Sequence, residues 1–255
     1  MKILIACEES QTVCKEMRRF EHECYSCDIQ EPSGGHPEWH ILGDALKAIQ
    51  GGQVTTMDGE THEIGRWDMI IAHPPCTYLS GVTTRHLSLK TTPAQKVVDR
   101  MWLLAEGAVF FMQCALADCD RIAVENPQGF MSRLYRRPDQ VISPYQFAES
   151  MDDSVNYQKK RTCLWLKGLP ELKRINDFPP PEALAISKSG KKLNFEEMNH
   201  GSKARSKTFP GIAKAMAEQW AGDIRSTTRA QAAGDAENRE TSKHSGEKNG
   251  AQRAE

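Results

Sequence analysis

At 255 residues, 39% hydrophobic and 26% charged, the chain has room for one large domain with tails and enough apolar residues for a sizeable core. Its formal net charge of -1 gives no global signal for nucleic acid, so any DNA contact must come from a local basic face. No run of about 18 apolar residues is present to span a membrane, and the apolar stretch at Met1–Cys7 is too short for a signal peptide.

A cytoplasmic protein is therefore expected, with its 8 cysteines as reduced thiols. Strand-like and helix-like patterns alternate, which predicts an α/β fold with a mostly parallel central sheet and helices on both faces. Lys2–Ala6 reads as the first strand. Gln11–Phe20 reads as the first helix with Ser10 as its N-cap. A second strand runs from Glu23 to Cys27 and ends at Asp28, and a third from His40 to Leu42 ends at Gly43-Asp44. Residues 53–64 flank Asp58-Gly59, a favoured hairpin turn, and read as an inserted hairpin.

The apolar strand Trp67–Ala72 leads into His73-Pro74-Pro75-Cys76. Thr92, Pro93 and Gln95 have the form of a capping box opening the longest helix. Its residues Val97, Met101, Leu104, Ala108, Met112 and Ala115 recur at helical spacing and are expected to pack on the sheet. Arg121–Val124 is a further strand, followed by Glu125-Asn126-Pro127 and a basic cluster of Arg133, Arg136 and Arg137. Arg161–Leu166 is another strand, 167–209 reads as largely extended loop, and Pro210–Trp220 as the last helix. Together these make one domain over 1–222. Residues 223–255 are almost free of apolar side chains and are expected to be disordered. Trp39, Trp67 and Trp102 are expected in the core, as are Cys7, Cys14, Cys114, Cys119 and Cys163.

Ligands in an open α/β sheet bind at the carboxyl ends of the strands, so the segments after Ala72 and Val124 should face one cleft. A cysteine thiolate there could add to carbon-6 of a cytosine and make carbon-5 nucleophilic. A carboxylic acid protonating ring N3 would ease that addition, and Glu125, with its pKa raised by burial, is the candidate. Cys76 alone is as compatible with a buried turn, and Glu125 alone with a helix cap; the two motifs at consecutive strand ends favour the chemistry.

These residues resemble the cytosine-carbon-5 DNA methyltransferases, and more closely their small phage- and prophage-borne versions. The resemblance spans roughly Met1 to Trp220 and implies a Rossmann-like class I fold that uses S-adenosylmethionine. It makes Cys76 of Pro75-Cys76 the nucleophile and Glu125 of Glu125-Asn126 the acid, with Asn126 and Pro75 at the base. Gln158-Lys159-Lys160-Arg161 is similar to the family's Gln-x-Arg-x-Arg motif, which assigns base positioning to Gln158 and Arg161. Asp28, with Ile29 beside it, corresponds to the ribose-binding place and Asp44 to the adenine contact. Cys7, Glu8, Ser10 and Pro74 would line the rest of the cofactor site, and Thr208–Ala213 resembles the motif that opens the family's last helix. DNA would be the partner, its cytosine flipped or single-stranded, with Arg133 and Arg136 near the phosphates.

Three departures stand out. Cys7-Glu8-Glu9-Ser10-Gln11 replaces the glycine-rich turn, so the cofactor's carboxylate would rely on amides near Ser10, and Glu8 and Glu9 would repel it unless they meet its ammonium group. Thr77 follows Cys76 where the family usually has Gln, and the interval before Thr208 is short for a full target-recognition domain. Three other readings remain open. His73-Pro74-Pro75-Cys76, with Tyr78 nearby, also suits an amino-methyltransferase. Cys24-x2-Cys27 with His36-x3-His40 has a compressed zinc-finger spacing. A non-catalytic DNA-binding or partner-binding relative is the third.

Overall fold

The computed structural model describes residues 1–81, 86–187, 190, 192–193 and 207–222; the tail expected over 223–255 lies outside them. In chain order the strands are β1 (Lys2–Ala6), β2 (Glu23–Asp28), β3 (His40–Leu42), β4 (Gly52–Thr55), β5 (Thr61–Gly65) and β6 (Met69–Ala72). They continue as β7 (Ile122–Pro127), β8 (Gln140–Ile142), β9 (Thr162–Lys167), β10 (Ala185–Ile186) and β11 (Lys192–Leu193). The helices are α1 (Thr12–Arg19), α2 (Ala45–Ala48), α3 (Ala94–Ala115), α4 (Met131–Leu134) and α5 (Pro210–Met216).

Seven strands form one sheet in the order β3-β2-β1-β6-β7-β9-β8. All pairings from β3 to β7 are parallel, and β9 alone runs against its neighbours. Hairpin β4–β5 and the pair β10–β11 stand apart as two-stranded antiparallel units. Strands β1 and β6 are near-continuous apolar runs rather than alternating ones, because both of their faces are covered. Leu4, Ile70 and Val124 pack under α2 and α3, whereas Ile3, Ile5, Ile71 and Ala123 pack under α1 and α5. The last helix continues past Met216 as a π-helical turn, Ala217–Ala221, fixed where Trp220 Nε1 donates to the Pro170 carbonyl at 2.9 Å.

The strand order reverses between β1 and β6. From β1 the chain moves outward to β2, and from β6 it moves the other way to β7. The loops leaving these two strands therefore diverge and open a crevice at the carboxyl edge, where ligands bind in such sheets. Among the described residues no helix is long and apolar enough to cross a membrane. All eight cysteines are free thiols.

Two helices begin differently from the sequence expectation. Ser10 does not cap α1; Gln11 occupies the cap position with φ 56°, and the Ser10 hydroxyl instead accepts from the Thr12 hydroxyl at 3.0 Å. The cap is Glu8, whose carboxylate accepts from the amides of Val13 at 2.7 Å and Cys14 at 3.2 Å. Positive φ angles at Cys7 (61°) and Gln11 (56°) fold the chain so that Glu8 lies beneath the helix start. At α3 no side chain caps the first turn, and Gln95 donates to Asp99 at 2.9 Å instead of closing a capping box.

The apolar face of α3 is also only half used. Val97, Ala108, Phe111, Cys114 and Ala115 are buried, but Met101 is 58% and Trp102 70% exposed. Trp102 is thus not a core residue, whereas Trp67 is fully covered. The cause is length. A 22-residue helix is about 33 Å long, while β6 and β7, of four and six residues, span about 13–20 Å. The early turns of α3 outrun the sheet beneath them.

Candidate active site at the carboxyl edge of the sheet

Ala6 pairs with Ala72, and Ala72 with Val124, so the residues that follow stand in a row across the edge. Side chains alternate along each strand. Ile71 and Ala123 face α1 and α5, so His73 and Glu125, two residues further on, face the same way. Their side chains meet: His73 Nδ1 lies 3.1 Å from Glu125 Oε2, with 7% and 15% of the two side chains exposed. Burial alone would raise the Glu125 pKa, as the sequence suggested. The hydrogen bond and charge of His73, aided by the charge of Lys160, outweigh burial and hold the carboxyl below its ordinary value. Glu8, on the same face at the end of β1, is buried and is pushed above the ordinary carboxylate range by that burial, against the pull of His73 and the α1 amides.

The two motif loops are stitched together. Asn126 Nδ2 donates to the Pro74 carbonyl at 2.8 Å, and Phe130 N to the Leu79 carbonyl at 2.8 Å. Gly81 N reaches the Gln128 carbonyl at 3.2 Å, and Ser80 bridges Gly129. Gly129 is required there, because a Cβ would stand 2.0 Å from the Leu79 carbonyl oxygen. Cys76 opens a tight turn, its carbonyl accepting from Leu79 N at 3.1 Å and Ser80 N at 3.0 Å. Cys76 is half-buried and follows a buried Pro74 and an exposed Pro75.

At the start of β9, Lys160 lines a small cavity with Glu125, Thr162, Lys207, Thr208, Phe209 and Ile212. Arg161 is exposed at the same edge, and the Gln158 side chain donates to the Ser154 carbonyl at 2.9 Å. Of the basic cluster, Arg133 is exposed on α4. Arg136 does not join the site. Its guanidinium is committed to Asp139 at 2.7 Å and to the Leu166 carbonyl at 2.9 Å, toward the amino end of β7. It also lines a cleft of about 230 Å³ with Tyr135, Trp165 and Leu116, whose lining includes neither Cys76 nor Glu125.

On the β1–β3 side, the Cys7 thiol sits near Cys114, Asp28, Cys27 and Asp44, and burial first of all pushes its pKa up. Asp28 Oδ1 accepts from Gln30 N at 2.9 Å, Asp44 caps α2 through Leu46 N at 2.9 Å, and Ile29 is 79% exposed beside them. The α1 amides nearest Ser10 are already taken by Glu8. Cys24 and Cys27 point to opposite faces of β2, and both ring nitrogens of His40 are occupied, by Ser26 Oγ at 2.8 Å and the Gln30 carbonyl at 3.0 Å. Among the described residues no group of three or more His, Cys, Asp or Glu side chains is arranged to hold a metal.

Among the described residues, three buried groups lack hydrogen-bond partners: both carboxylate oxygens of Glu9, Nε2 of His73 and Oδ1 of Asn126. Lys207 is the site residue that no motif singled out, and His73 and Lys160 stand inside motifs that gave them no role. Period-two alternation on from Ile71 and back from Leu164 places these two in the row. No protein-family model matches this sequence, and no curated protein matches it.

Proposed function

We propose that this chain is a DNA cytosine-5 methyltransferase, built on a Rossmann-like class I scaffold and using S-adenosylmethionine. The observation that carries the reading is the meeting of the loop after β6, which carries Cys76, with the end of β7, which carries Glu125 bonded to His73. The reversal of strand order between β1 and β6 supports it, because that crevice is where such sheets hold a nucleotide-like ligand.

Cys76 Sγ adds to carbon-6 of a cytosine that has been flipped out of the duplex or presented single-stranded. The electron pair displaced toward N3 needs a proton. Glu125 rests as a carboxylate, so it can serve as the acid only after taking a proton, and His73 Nδ1, 3.1 Å from it, is the neighbour through which one can be relayed. Carbon-5 then takes the methyl group as N3 returns its proton to Glu125, and transfer of the carbon-5 proton to a solvent base expels the Cys76 thiolate and restores the ring. Lys160, inside the cavity with Glu125, is better placed than exposed Arg161 to meet the base's carbonyl oxygen, and Arg161 stands on the outer side, toward the DNA backbone.

The residues present fit the methyl donor at its adenosyl end. Two carboxylates, Asp28 and Asp44, and an apolar Ile29 that is 79% exposed stand together at the ends of β2 and β3. Bound there, S-adenosylmethionine supplies an electrophilic methyl group. The amino-methyltransferase reading is weakened by Tyr78, whose ring is covered by the Arg100 guanidinium at 5.2 Å rather than bare for a base.

The test is expression of wild type and Cys76→Ser in a methylation-free host, with modified nucleosides measured by mass spectrometry. A 5-methylcytosine signal that vanishes in Cys76→Ser, with the melting temperature unchanged, is the expected outcome. An exocyclic methyl signal would transfer the case to the amino-methyltransferase. A wild-type rate in Cys76→Ser would refute the covalent route.

A further inference from the structure

We infer that Glu9, Lys207 and Ser33 form a subsite for a zwitterionic amino-acid head group, which on the reading above is the methionyl end of the methyl donor. The usual receptor for that carboxylate, the amide array at a helix start, is closed here. The Glu8 carboxyl already accepts from Val13 N and Cys14 N, so a second anion would meet filled donors.

Glu9, one residue on, is in the opposite condition. Its side chain is 10% exposed, and among the described residues neither oxygen receives a hydrogen bond. A buried carboxylate without donors is unfavourable, and folded proteins rarely keep one without a partner. Among the described residues Lys207 Nζ lies 3.9 Å from Glu9 Oε1, outside hydrogen-bond range. Lys207 Nζ donates instead to Ser33 Oγ at 3.1 Å, and the Ser33 amide donates to the Glu9 carbonyl at 2.8 Å. A negative and a positive group are thus held side by side, close but unjoined.

An α-amino acid carries its ammonium and carboxylate on one carbon. The pairing that follows is Glu9 to the ammonium, with Lys207 Nζ and the Ser33 hydroxyl to the carboxylate. The position is continuous with the reaction centre, because Lys207 also lines the cavity that contains Glu125, and Glu9 lies in the loop leaving β1 at the crevice.

The full chain is titrated by calorimetry with two probes: S-adenosylhomocysteine, which has the head group, and 5'-methylthioadenosine, which lacks it. Wild type should bind the first more tightly. Lys207→Met and Glu9→Gln should each weaken S-adenosylhomocysteine about 10–100-fold and leave 5'-methylthioadenosine within about twofold, while Lys207→Arg retains most of the affinity. Lys207 is 42% exposed, so its replacement leaves folding intact, and a thermal melt checks it. If the variants weaken both probes equally, or neither, the subsite is wrong while the methyl-donor reading stands. If wild type binds neither probe, both fall.

Discussion

Replacing His73 with Leu is the sharpest probe of the row at the sheet edge. The imidazole is 7% exposed and its partner Glu125 15%, at 3.1 Å, so the change leaves a carboxylate buried beside no hydrogen-bond donor from β6. Removing one member of a buried pair costs about 3–5 kcal/mol, and Lys160, which also draws Glu125 down, keeps the value near the lower end. For a domain of this size about 3 kcal/mol lowers Tm by about 6–12 °C. His73→Leu/Glu125→Leu should recover at least half of that loss, since both polar groups are then gone.

The pH dependence supplies a sign. In the wild type the Glu125 pKa lies below its ordinary value of 4.5, so its contribution is present above that pH and is lost as pH falls through the folded value. In His73→Leu, burial, the largest influence on Glu125, is opposed by Lys160 alone, and the pKa rises above 4.5. Ionised Glu125 then works against folding, and the variant loses stability as pH rises. The gap between wild type and variant, measured by urea denaturation, should widen from about pH 4 to about pH 7. A gap below about 1 kcal/mol, or one that narrows over that range, would refute the buried pair.

Gly129→Ala forces a Cβ to within 2.0 Å of the Leu79 carbonyl oxygen, which is backbone and cannot swing aside. Overpacking of this kind costs about 1–3 kcal/mol, and calorimetry should show it together with lost catalysis, because the loop carrying Cys76 must shift. A fully active, unshifted Gly129→Ala protein would mean that the two loops are not locked. Trp102 and Trp67 make a matched pair: Trp67→Ala should cost about 3–5 kcal/mol, whereas Trp102→Ala, at a site 70% exposed, should stay within about 0.5 kcal/mol. Equal losses in the two chemical denaturation curves would contradict the exposure of the early turns of α3.

Much of the parallel sheet was readable because β1 and β6 must be apolar on both faces, which leaves unbroken runs such as Lys2–Ala6 and Met69–Ala72. The position of Cys76 beyond β6 followed from the second of these runs, whereas Glu125, expected just past its strand, lies within β7, which continues through Pro127 by pairing with β9. What stayed hidden depends on geometry that no local pattern encodes. The Glu8 cap needs two left-handed residues, Cys7 and Gln11, neither of them glycine, and sequence rules assign such turns to glycine or asparagine. The exposure of Met101 and Trp102 depends on helix length relative to strand length, not on periodicity. Short elements such as α2 and β8, of four and three residues, carry too few positions to show a period at all. Arg136 reads as part of a basic patch, and only the fold reveals that Asp139, three residues on, already neutralises it.

The missing glycine-rich turn and the filled helix start have a common cause. A glycine loop lets a ligand's anion approach bare amides; here the chain supplies its own acceptor, the Glu8 carboxyl, from a turn that carries side chains at every position. That exchange has two consequences. Glu8 adds a carboxylate to the face that already holds Glu125, so His73, between them in the strand order, feels both, and the polar row becomes a connected charge system rather than a single acid. On the proposed reading it also moves ligand recognition one residue along, to Glu9, and across to Lys207, three residues before α5. A site organised by side chains of opposite charge reads the charge pattern of its ligand directly. Selectivity among adenosyl ligands should then follow the head group rather than the nucleoside, the reverse of what a backbone-only phosphate or carboxylate cradle would give.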